Sequence, residues 1–456
     1  MTQDRMENAA CPFCGLGCDD LRVERNGTAL AVTSTDCPLA RAGFGGDAAA
    51  AAAIDGRPAV LDAAVDRAAS ILAGARAPVV HGLAADIDGQ RAAIALARRI
   101  GAAVDHQGGD ALARNLSALG DGGWITASLA EIRNRADLIV SFGDPADAMP
   151  RFWQRVMWPD ATLIADEPPA RDVVLIGDGI GPRAGASPQA RAAAIVPMAR
   201  DAMPAVAAAL SALARGGKVF ADPAGGIPVA MLARIVERLG AARYGVIAWN
   251  AAAMDFPQAD LAVAALAELL HALNRTTRTV GLPLGGAGNA LGAQATSLWS
   301  TGQAPRLRFV DGEPRRDAQL WSAARMIAAG ECDALLWIDA LSRRPPPIAP
   351  GIPVIALARP GTDFASPPAV FIPVGAPGVD HQGHVLRGDA IVALRLDKLR
   401  DSNLPAVVEV MERILSAVMA GLDPAIHADQ SPGGAGSVDA RLKAGHDGDK
   451  KQGTPC

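Results

Sequence analysis

The sequence has no apolar run of the kind that spans a membrane and no block of basic residues. Its longest uncharged stretch, residues 279–305, is rich in Gly, Ser, Thr, Asn and Gln, and the stretch 364–379 is short and interrupted by prolines. The formal net charge is −5. The pattern therefore predicts a soluble protein, and neither nucleic acid nor an anionic membrane is expected as its main partner.

Several common catalytic signatures are also missing. The sequence has no Gly-x-Ser-x-Gly nucleophile elbow, no Gly-x-x-x-x-Gly-Lys-Ser/Thr phosphate loop and no His-x-His pair of the amidohydrolase type. The first residues, Met-Thr-Gln-Asp-Arg, contain neither an apolar segment nor a twin arginine that would direct export. We therefore expect a cytoplasmic protein, and the catalytic residues stay unknown at this point.

What the sequence does contain is the alternating pattern of an α/β fold. Half of the 456 residues are apolar, and this length predicts two or three domains. From about residue 56 onward, short apolar runs alternate with helical patterns, which is typical of βαβ units around a parallel sheet. The predicted strands are 78–81, 137–142, 162–165, 218–221, 245–249, 334–338 and 354–357. One predicted helix carries Leu232 and Leu239 on its apolar face and ends at Gly240 in a left-handed cap.

The two ends of the chain differ from this pattern. Residues 21–25 and 29–33 flank Asn26-Gly27, which predicts a β-hairpin. The predicted organisation is a small β unit (1–55), a first α/β domain (56–195), a second α/β domain (196–360), a closing segment that returns to the α/β core (361–420) and a disordered tail (421–456).

Four of the six cysteines lie close together near the N-terminus, at Cys11, Cys14, Cys18 and Cys37. This spacing would let a short strand–turn–strand unit direct four thiolates at one point. Thiolate sulfur suits an iron–sulfur cluster or zinc, and disulfides are disfavoured because nothing directs the chain to an oxidising compartment. The alternatives are a bound cluster, a bound zinc ion, four inert cysteines and a retained but empty ligand frame.

A glycine-rich stretch, residues 285–292, follows the apolar residues Thr279 and Val280. Its backbone could approach a phosphate or a pterin, and the candidate contacts are Gly286, Gly288 and Asn289. The spacing is not that of the dinucleotide-binding fingerprint, so a tight turn without a ligand is the alternative.

Several histidines could also face a crevice between domains. Asp380, His381 and His384 lie close together in sequence, but the neighbouring glycines favour a polar loop over a metal site. His81 and His106 each follow an apolar run, and a structural histidine is the alternative for both.

Four segments of the sequence resemble the B subunit of formylmethanofuran dehydrogenase, within the molybdopterin and tungstopterin oxidoreductases. They are Cys11-Pro-Phe-Cys14-Gly-Leu-Gly-Cys18-Asp-Asp with Cys37, then 133–140, Gly312-Glu-Pro-Arg315, and 378–383 continuing to Arg387. The resemblance implies a four-cysteine β unit followed by two Rossmann-like α/β domains of the molybdopterin-oxidoreductase type. It also implies that the four cysteines hold a [4Fe–4S] cluster.

The chain departs from this family at the metal. The dehydrogenases supply a cysteine followed by a histidine to tungsten or molybdenum, and Ala111 and Leu112 align with these two positions. A methyl group cannot ligate a metal, so the metal-pterin is expected to be absent and redox catalysis to be lost.

This combination is similar to the B subunits of bacterial formyltransferase/hydrolase complexes. The resemblance implies a mainly structural subunit in tetrahydromethanopterin-linked oxidation of formaldehyde to formate, with an amidohydrolase-like A subunit and C and D subunits as partners. The alternative is a redox-active B subunit of formylmethanofuran dehydrogenase.

The resemblance also implies a furan carrier with a glutamate-rich tail. Arg114, Arg315 and Arg387 could bind its carboxylates in the vacated pterin crevice, and the alternative is that they are solvated surface arginines.

Overall fold

The computed structural model describes residues 4–164 and 169–422. Within these residues the strands are β1 (Asp4–Ala9), β2 (Leu21–Asn26), β3 (Ala29–Val32), β4 (Ala52–Ile54), β5 (Arg57–Ala59), β6 (Pro78–Ala84), β7 (Ala103–Val104), β8 (Leu138–Phe142), β9 (Asp172–Gly177), β10 (Ala194–Pro197), β11 (Gly245–Trp249), β12 (Thr279–Pro283), β13 (Leu307–Val310), β14 (Glu313–Arg316), β15 (Ala334–Asp339), β16 (Val354–Ala358), β17 (Val370–Pro373), β18 (Gly383–Leu386) and β19 (Ala393–Leu396).

Over the same residues the α-helices are α1 (Pro38–Phe44), α2 (Leu61–Gly74), α3 (Ile87–Ile100), α4 (Gly109–Asp121), α5 (Leu129–Arg135), α6 (Pro145–Ala148), α7 (Met203–Ala214), α8 (Val229–Ala241), α9 (Ala259–Leu273), α10 (Ala290–Thr301), α11 (Ala323–Ala328) and α12 (Val407–Leu422). Local sequence explains the ends of α3. Asp86 accepts a hydrogen bond from the Gly89 N–H at 3.2 Å at its start, and Gly101 adopts the left-handed conformation, with φ of 67°, at its end.

The larger sheet has nine strands in the order β14-β13-β7-β6-β15-β16-β17-β4-β5. Its centre, β7 to β17, is parallel, and antiparallel strands extend both edges. Every residue of β15 is buried, as expected for a central strand with both faces covered. Helix α12 packs against both α2 and α3 over one face. The opposite face packs on α11 and the residues after it, where Met326 and Cys332 share a buried cluster with Val79 and Leu335.

The smaller α/β sheet has five parallel strands in the order β10-β9-β8-β11-β12. One face packs on α7, α8 and α9. Its other face joins a core that also contains the N-terminal cysteine segment, so this segment is attached to the sheet by apolar packing. The mixed α/β fold predicted from the sequence is confirmed.

Along the chain, the strands of the five-stranded sheet lie between two groups of strands that belong to the nine-stranded sheet. The nine-stranded sheet takes strands from residues 52–104 and again from 307–373, whereas the five-stranded sheet takes its strands from 138–283. Both predicted α/β segments, 56–195 and 196–360, therefore contribute strands to both sheets, and a boundary at residue 195 divides each sheet.

The predicted N-terminal hairpin is present, formed by β2 and β3 with Gly27 at a φ of 62° in the turn. Strand β1 completes a three-stranded antiparallel sheet. The three cysteines Cys11, Cys14 and Cys18 lie in the loop between β1 and β2, and Cys37 immediately precedes α1.

Three local predictions were wrong. Residues 162–164 and 218–221 form no strand, and the side chains of Leu163 (90% exposed) and Phe220 (93% exposed) face solvent instead of a sheet. Gly240 lies inside α8, which continues to Ala241 and ends in extended backbone. The fourth residue of the first run, Ala165, lies outside the described residues.

The predicted tail is wrong at its first residues, because α12 extends to Leu422. The rest of the tail, 423–456, lies outside the described residues. None of the helices within 4–164 and 169–422 has the length and apolar character needed to cross a bilayer.

Candidate functional site

A cavity of about 410 Å³ lies where strands of both large sheets end. Gln107 follows β7, Ala252 follows β11, Leu284 follows β12 and Arg344 follows β15, and all four line the cavity. The carboxyl ends of parallel strands are the usual position of binding crevices in α/β proteins, because the connecting loops gather there. This cavity is therefore the candidate site.

The predicted glycine-rich stretch forms one wall. Gly286 has a φ of 99° and Gly288 a φ of 64°, so both adopt a conformation that favours glycine. Gly286 lines the cavity directly. Asn289 is buried behind it, where its side-chain amide donates to the Ala85 carbonyl at 2.9 Å and accepts from the Leu386 N–H at 3.0 Å. Of the three predicted residues, Gly286 thus lines the cavity, and Asn289 anchors the loop.

His106 links this loop to the opposite wall. Its Nδ1 accepts from the Gly108 N–H at 2.8 Å, which leaves Nε2 protonated and donating to the Gly288 carbonyl at 3.0 Å. Both ring nitrogens of the neutral imidazole are therefore used. Burial lowers the pKa of His106 to about 4, because a charged ring would lose its hydration. This geometry assigns His106 a structural role in holding the cavity.

Ala111 and Leu112, in the first turn of α4, line the same cavity. Neither side chain has an atom that can ligate a metal. The two residues that the sequence resemblance places at metal-ligand positions thus line the cavity as apolar groups.

The three predicted arginines lie in different environments. Arg114 lines the cavity, and its guanidinium donates to the Ala251 carbonyl at 2.9 Å. Arg387 pairs with Asp389 through an N–O distance of 2.6 Å, and Arg315 is exposed on β14. Neither Arg315 nor Arg387 is among the cavity-lining residues.

Arg344 lines the cavity as well, and no sequence motif singled it out. It is placed by Asp339, at the end of β15, whose buried carboxylate accepts hydrogen bonds from the backbone N–H groups of Leu341, Ser342 and Arg344. An Asp directly after a buried apolar run was the available signal, because such residues often organise the following loop.

All four N-terminal cysteines are buried, reduced and unpaired. Burial raises the pKa of Cys14 to about 12, and it raises the pKa values of Cys11 and Cys18 as well. The described part of the chain contains no group of three or more His, Cys, Asp or Glu side chains placed to hold a metal ion. In this arrangement the thiols pack in an apolar core, and the neighbouring Cys14, Cys18 and Cys37 also contribute to the raised pKa of Cys11.

The cysteine loop nevertheless adjoins the cavity. The Gly15 carbonyl accepts from the Gly388 N–H at 2.6 Å, and a Cβ added to Gly15 would lie 2.6 Å from the Gly285 carbonyl oxygen. Gly388 and Gly285 both line the cavity. Three backbone segments therefore meet at glycines, and the cysteine loop and the cavity share one wall.

The loop after Pro377 does not bring its polar residues together as a metal site. Asp380 forms an ion pair with Arg400 at 2.8 Å, and both side chains are 1% exposed. His384 is exposed on β18, and the Nδ1 of His381 lies 2.7 Å from the Gln382 carbonyl. The segment is therefore a polar loop. His81 is likewise structural, since its ring packs edge-on against Trp337.

Comparisons with known proteins identify the family. No protein-family model matches the chain. The B subunit of the formyltransferase/hydrolase complex Fhc from Methylorubrum extorquens is 32% identical over 379 residues, which cover 81% of this chain and 97% of that protein. The B subunit of tungsten-containing formylmethanofuran dehydrogenase 2 from Methanocaldococcus jannaschii is 23% identical over 427 residues, which cover 87% of this chain and 94% of that protein.

The fold gives the same result. A chain in the crystal structure of the formyltransferase/hydrolase complex FhcABCD from Methylorubrum extorquens, solved in complex with methylofuran, superimposes with a TM-score of 0.67 at 31% identity. The match covers 81% of this chain and 99% of the other. The chain belongs to the family of B subunits of formyltransferase/hydrolase complexes.

Proposed function

We propose that this chain is the B subunit of a cytoplasmic formyltransferase/hydrolase complex and associates with an amidohydrolase-like A subunit and with C and D subunits. The complex would handle a formyl group on a methanofuran-type carrier in the oxidation of formaldehyde to formate. The observation that carries this proposal is the 32% identity to the B subunit of such a complex across 97% of that protein. The solved complex that contains the similar fold was crystallised with methylofuran.

The role proposed for the chain within the complex is structural. A redox role would need a metal ligand in the cavity, and Ala111 and Leu112 provide none. It would also need a cluster to carry electrons, and the four thiols do not form a metal-binding group in the described residues. We therefore propose that the subunit transfers no electrons and that the cysteine frame is vestigial.

We also propose how the cysteine loop and the two large sheets correspond to the parts of the family's fold. The cysteine loop with β1 to β3 would correspond to the four-cysteine unit of the molybdopterin oxidoreductases, and the two large sheets to their Rossmann-like domains. The interleaved strand order supports a crevice built by both sheets, since neither sheet closes the cavity alone.

The second candidate is a redox-active B subunit of a dehydrogenase. It is favoured only by relatives at 23% identity, and the apolar side chains at Ala111 and Leu112 count against it.

The test is coexpression of a tagged form of this chain with the A, C and D subunits proposed as its partners. We expect the A, C and D subunits to be retained on the tag, and the purified assembly to hydrolyse the formyl carrier without viologen reduction. Elemental analysis of the anaerobically purified assembly should find no stoichiometric tungsten, molybdenum or iron. The control is an A, C and D preparation without this chain. Viologen-linked activity with bound tungsten or molybdenum would establish the dehydrogenase instead.

A further inference from the structure

The cavity contains two arginines whose hydrogen-bonding capacity is largely unused. Within the described residues, the Arg344 guanidinium has no hydrogen-bond or ion-pair partner, and that of Arg114 has only the Ala251 carbonyl. Two acidic residues also line the cavity. Asp110 pairs with Arg306, which also lies 3.5 Å from the carboxylate of Asp105, and Asp255 is the other acidic residue of the lining. The cavity therefore offers guanidinium N–H donors that the described residues leave largely unused.

Two helices also begin at the cavity wall. Helix α4 starts after Gly108, helix α10 starts after Asn289, and neither helix has a side-chain cap on its first N–H groups. Uncapped N–H groups and the positive end of the helix dipole both favour a negatively charged ligand. Because the two helices come from different parts of the chain, their convergence adds to the effect of the arginines.

The remaining lining residues add an apolar surface and an unpaired acceptor to the cavity. Leu112, Leu284 and Leu291 present apolar surface, so part of the ligand can be buried without polar partners. Gln107 also lines the cavity, and its side-chain oxygen is buried without a hydrogen-bond partner in the described residues. A buried acceptor without a donor is costly, and an N–H or O–H group on a ligand would satisfy it.

We propose that this cavity binds a small organic anion whose carboxylate or phosphate oxygens pair with Arg114 and Arg344 and whose N–H or O–H group donates to Gln107. The volume of about 410 Å³ is within the range of small-molecule sites, about 300–1,000 Å³. The proposal goes beyond the structural role, because a subunit that only supports its partners needs no ligand. Ligation by a metal plays no part in it.

The experiment is isothermal titration of the purified assembly with two probes, tri-γ-glutamate and inorganic pyrophosphate. Tri-γ-glutamate offers carboxylates and amide N–H groups, whereas pyrophosphate offers phosphate oxygens alone. We expect saturable binding of at least one probe that weakens with added salt. Tighter binding of tri-γ-glutamate would identify a carboxylate ligand, and tighter binding of pyrophosphate a phosphate ligand.

The variants Arg114→Gln and Arg344→Gln should each weaken binding about tenfold, since each removes charge-assisted hydrogen bonds. Arg315→Gln, which removes an exposed arginine outside the cavity, is the matched control and should bind like the wild type. Ala111→Trp should abolish binding by filling the cavity, and the two glutamine variants keep the test valid if that variant fails to fold.

Absence of saturable binding of both probes up to about 10 mM would overturn the proposal, as would equal affinity in the double Arg114→Gln/Arg344→Gln variant. Retention of the partner subunits is measured separately on the same preparations. A negative titration with an intact assembly therefore contradicts the ligand site and leaves the proposed function standing.

Discussion

Replacement of His106 by glutamine should destabilise the protein at pH 7 and have a smaller effect at pH 5. At neutral pH the imidazole accepts from the Gly108 N–H and donates to the Gly288 carbonyl. Each such bond contributes about 0.5–1.5 kcal/mol, so the variant should lose about 1–3 kcal/mol.

The pH dependence follows from the pKa of His106, which burial lowers from 6.5 to about 4. Between these values the unfolded chain binds a proton that the folded chain does not, so the contribution of His106 falls as the pH decreases from 6.5 toward 4. For these two pKa values the loss between pH 7 and pH 5 is about 2 kcal/mol. The variant lacks this titration, so its stability deficit should shrink by about 2 kcal/mol over the same range.

The measurement is urea unfolding of wild type and variant at pH 7, 6 and 5, with free energies taken from linear extrapolation. Titration of His81, whose pKa is also lowered to about 4, and of Asp105, whose pKa burial raises, occurs in both proteins and largely cancels in the difference. His384→Gln changes an exposed histidine and is the control. An equal difference at pH 7 and pH 5 would refute the argument that His106 is neutral in the folded protein.

Three further perturbations test a buried ion pair, a close backbone approach and metal binding. Asp380→Asn leaves the buried charge of Arg400 unpaired, so it should lower the free energy of unfolding by about 3–5 kcal/mol in urea titrations. The double variant Asp380→Leu/Arg400→Met removes both charges and should recover part of this loss. Gly15→Ala should lower the stability more than Gly27→Ala, because Gly15 has a φ of 81° and its new Cβ would meet the Gly285 carbonyl. Gly27 has open space around it, so its substitution carries only the conformational cost of about 1 kcal/mol. Equal thermal midpoints of the two variants would contradict the close approach at Gly15. Dialysis against EDTA should leave the thermal midpoint unchanged, because the described residues hold no metal-binding group, and a lower midpoint would reveal a bound metal.

Among the correctly predicted strands of the two large sheets, several are apolar runs buried on both faces. This is true of β8, β11 and β15, in which every residue is buried. The segments 162–165 and 218–221 contain similar apolar residues, but Leu163 and Phe220 are exposed. Short apolar runs do not by themselves reveal whether a sheet is available to cover them. Strand β9, Asp172–Gly177, carried an equally strong run and was not predicted.

Only part of the candidate site could be predicted, because some of its residues are placed by strand pairing between distant parts of the chain. Gly286 was identified from a local motif and Ala111 from the family resemblance, and both line the cavity. Arg344 was not, because its position depends on β15 pairing with β6 and on the loop that Asp339 organises. Arg315 was selected from a motif, yet β14 is an edge strand that holds it away from the cavity. Local sequence identifies the loops, but long-range pairing decides which side chains meet.

The hydrogen bonds that hold the glycine-rich wall of the cavity do not involve Ala111 or Leu112. His106 and Asn289 fix the glycine-rich loop through buried hydrogen bonds to backbone groups, and none of these bonds involves Ala111 or Leu112. Replacement of the side chain at either position should therefore leave these hydrogen bonds, and with them the wall of the cavity, in place. The cavity beside the cysteine loop is thus held by residues other than those predicted at metal-ligand positions, and the titration with anionic probes measures whether it binds a ligand.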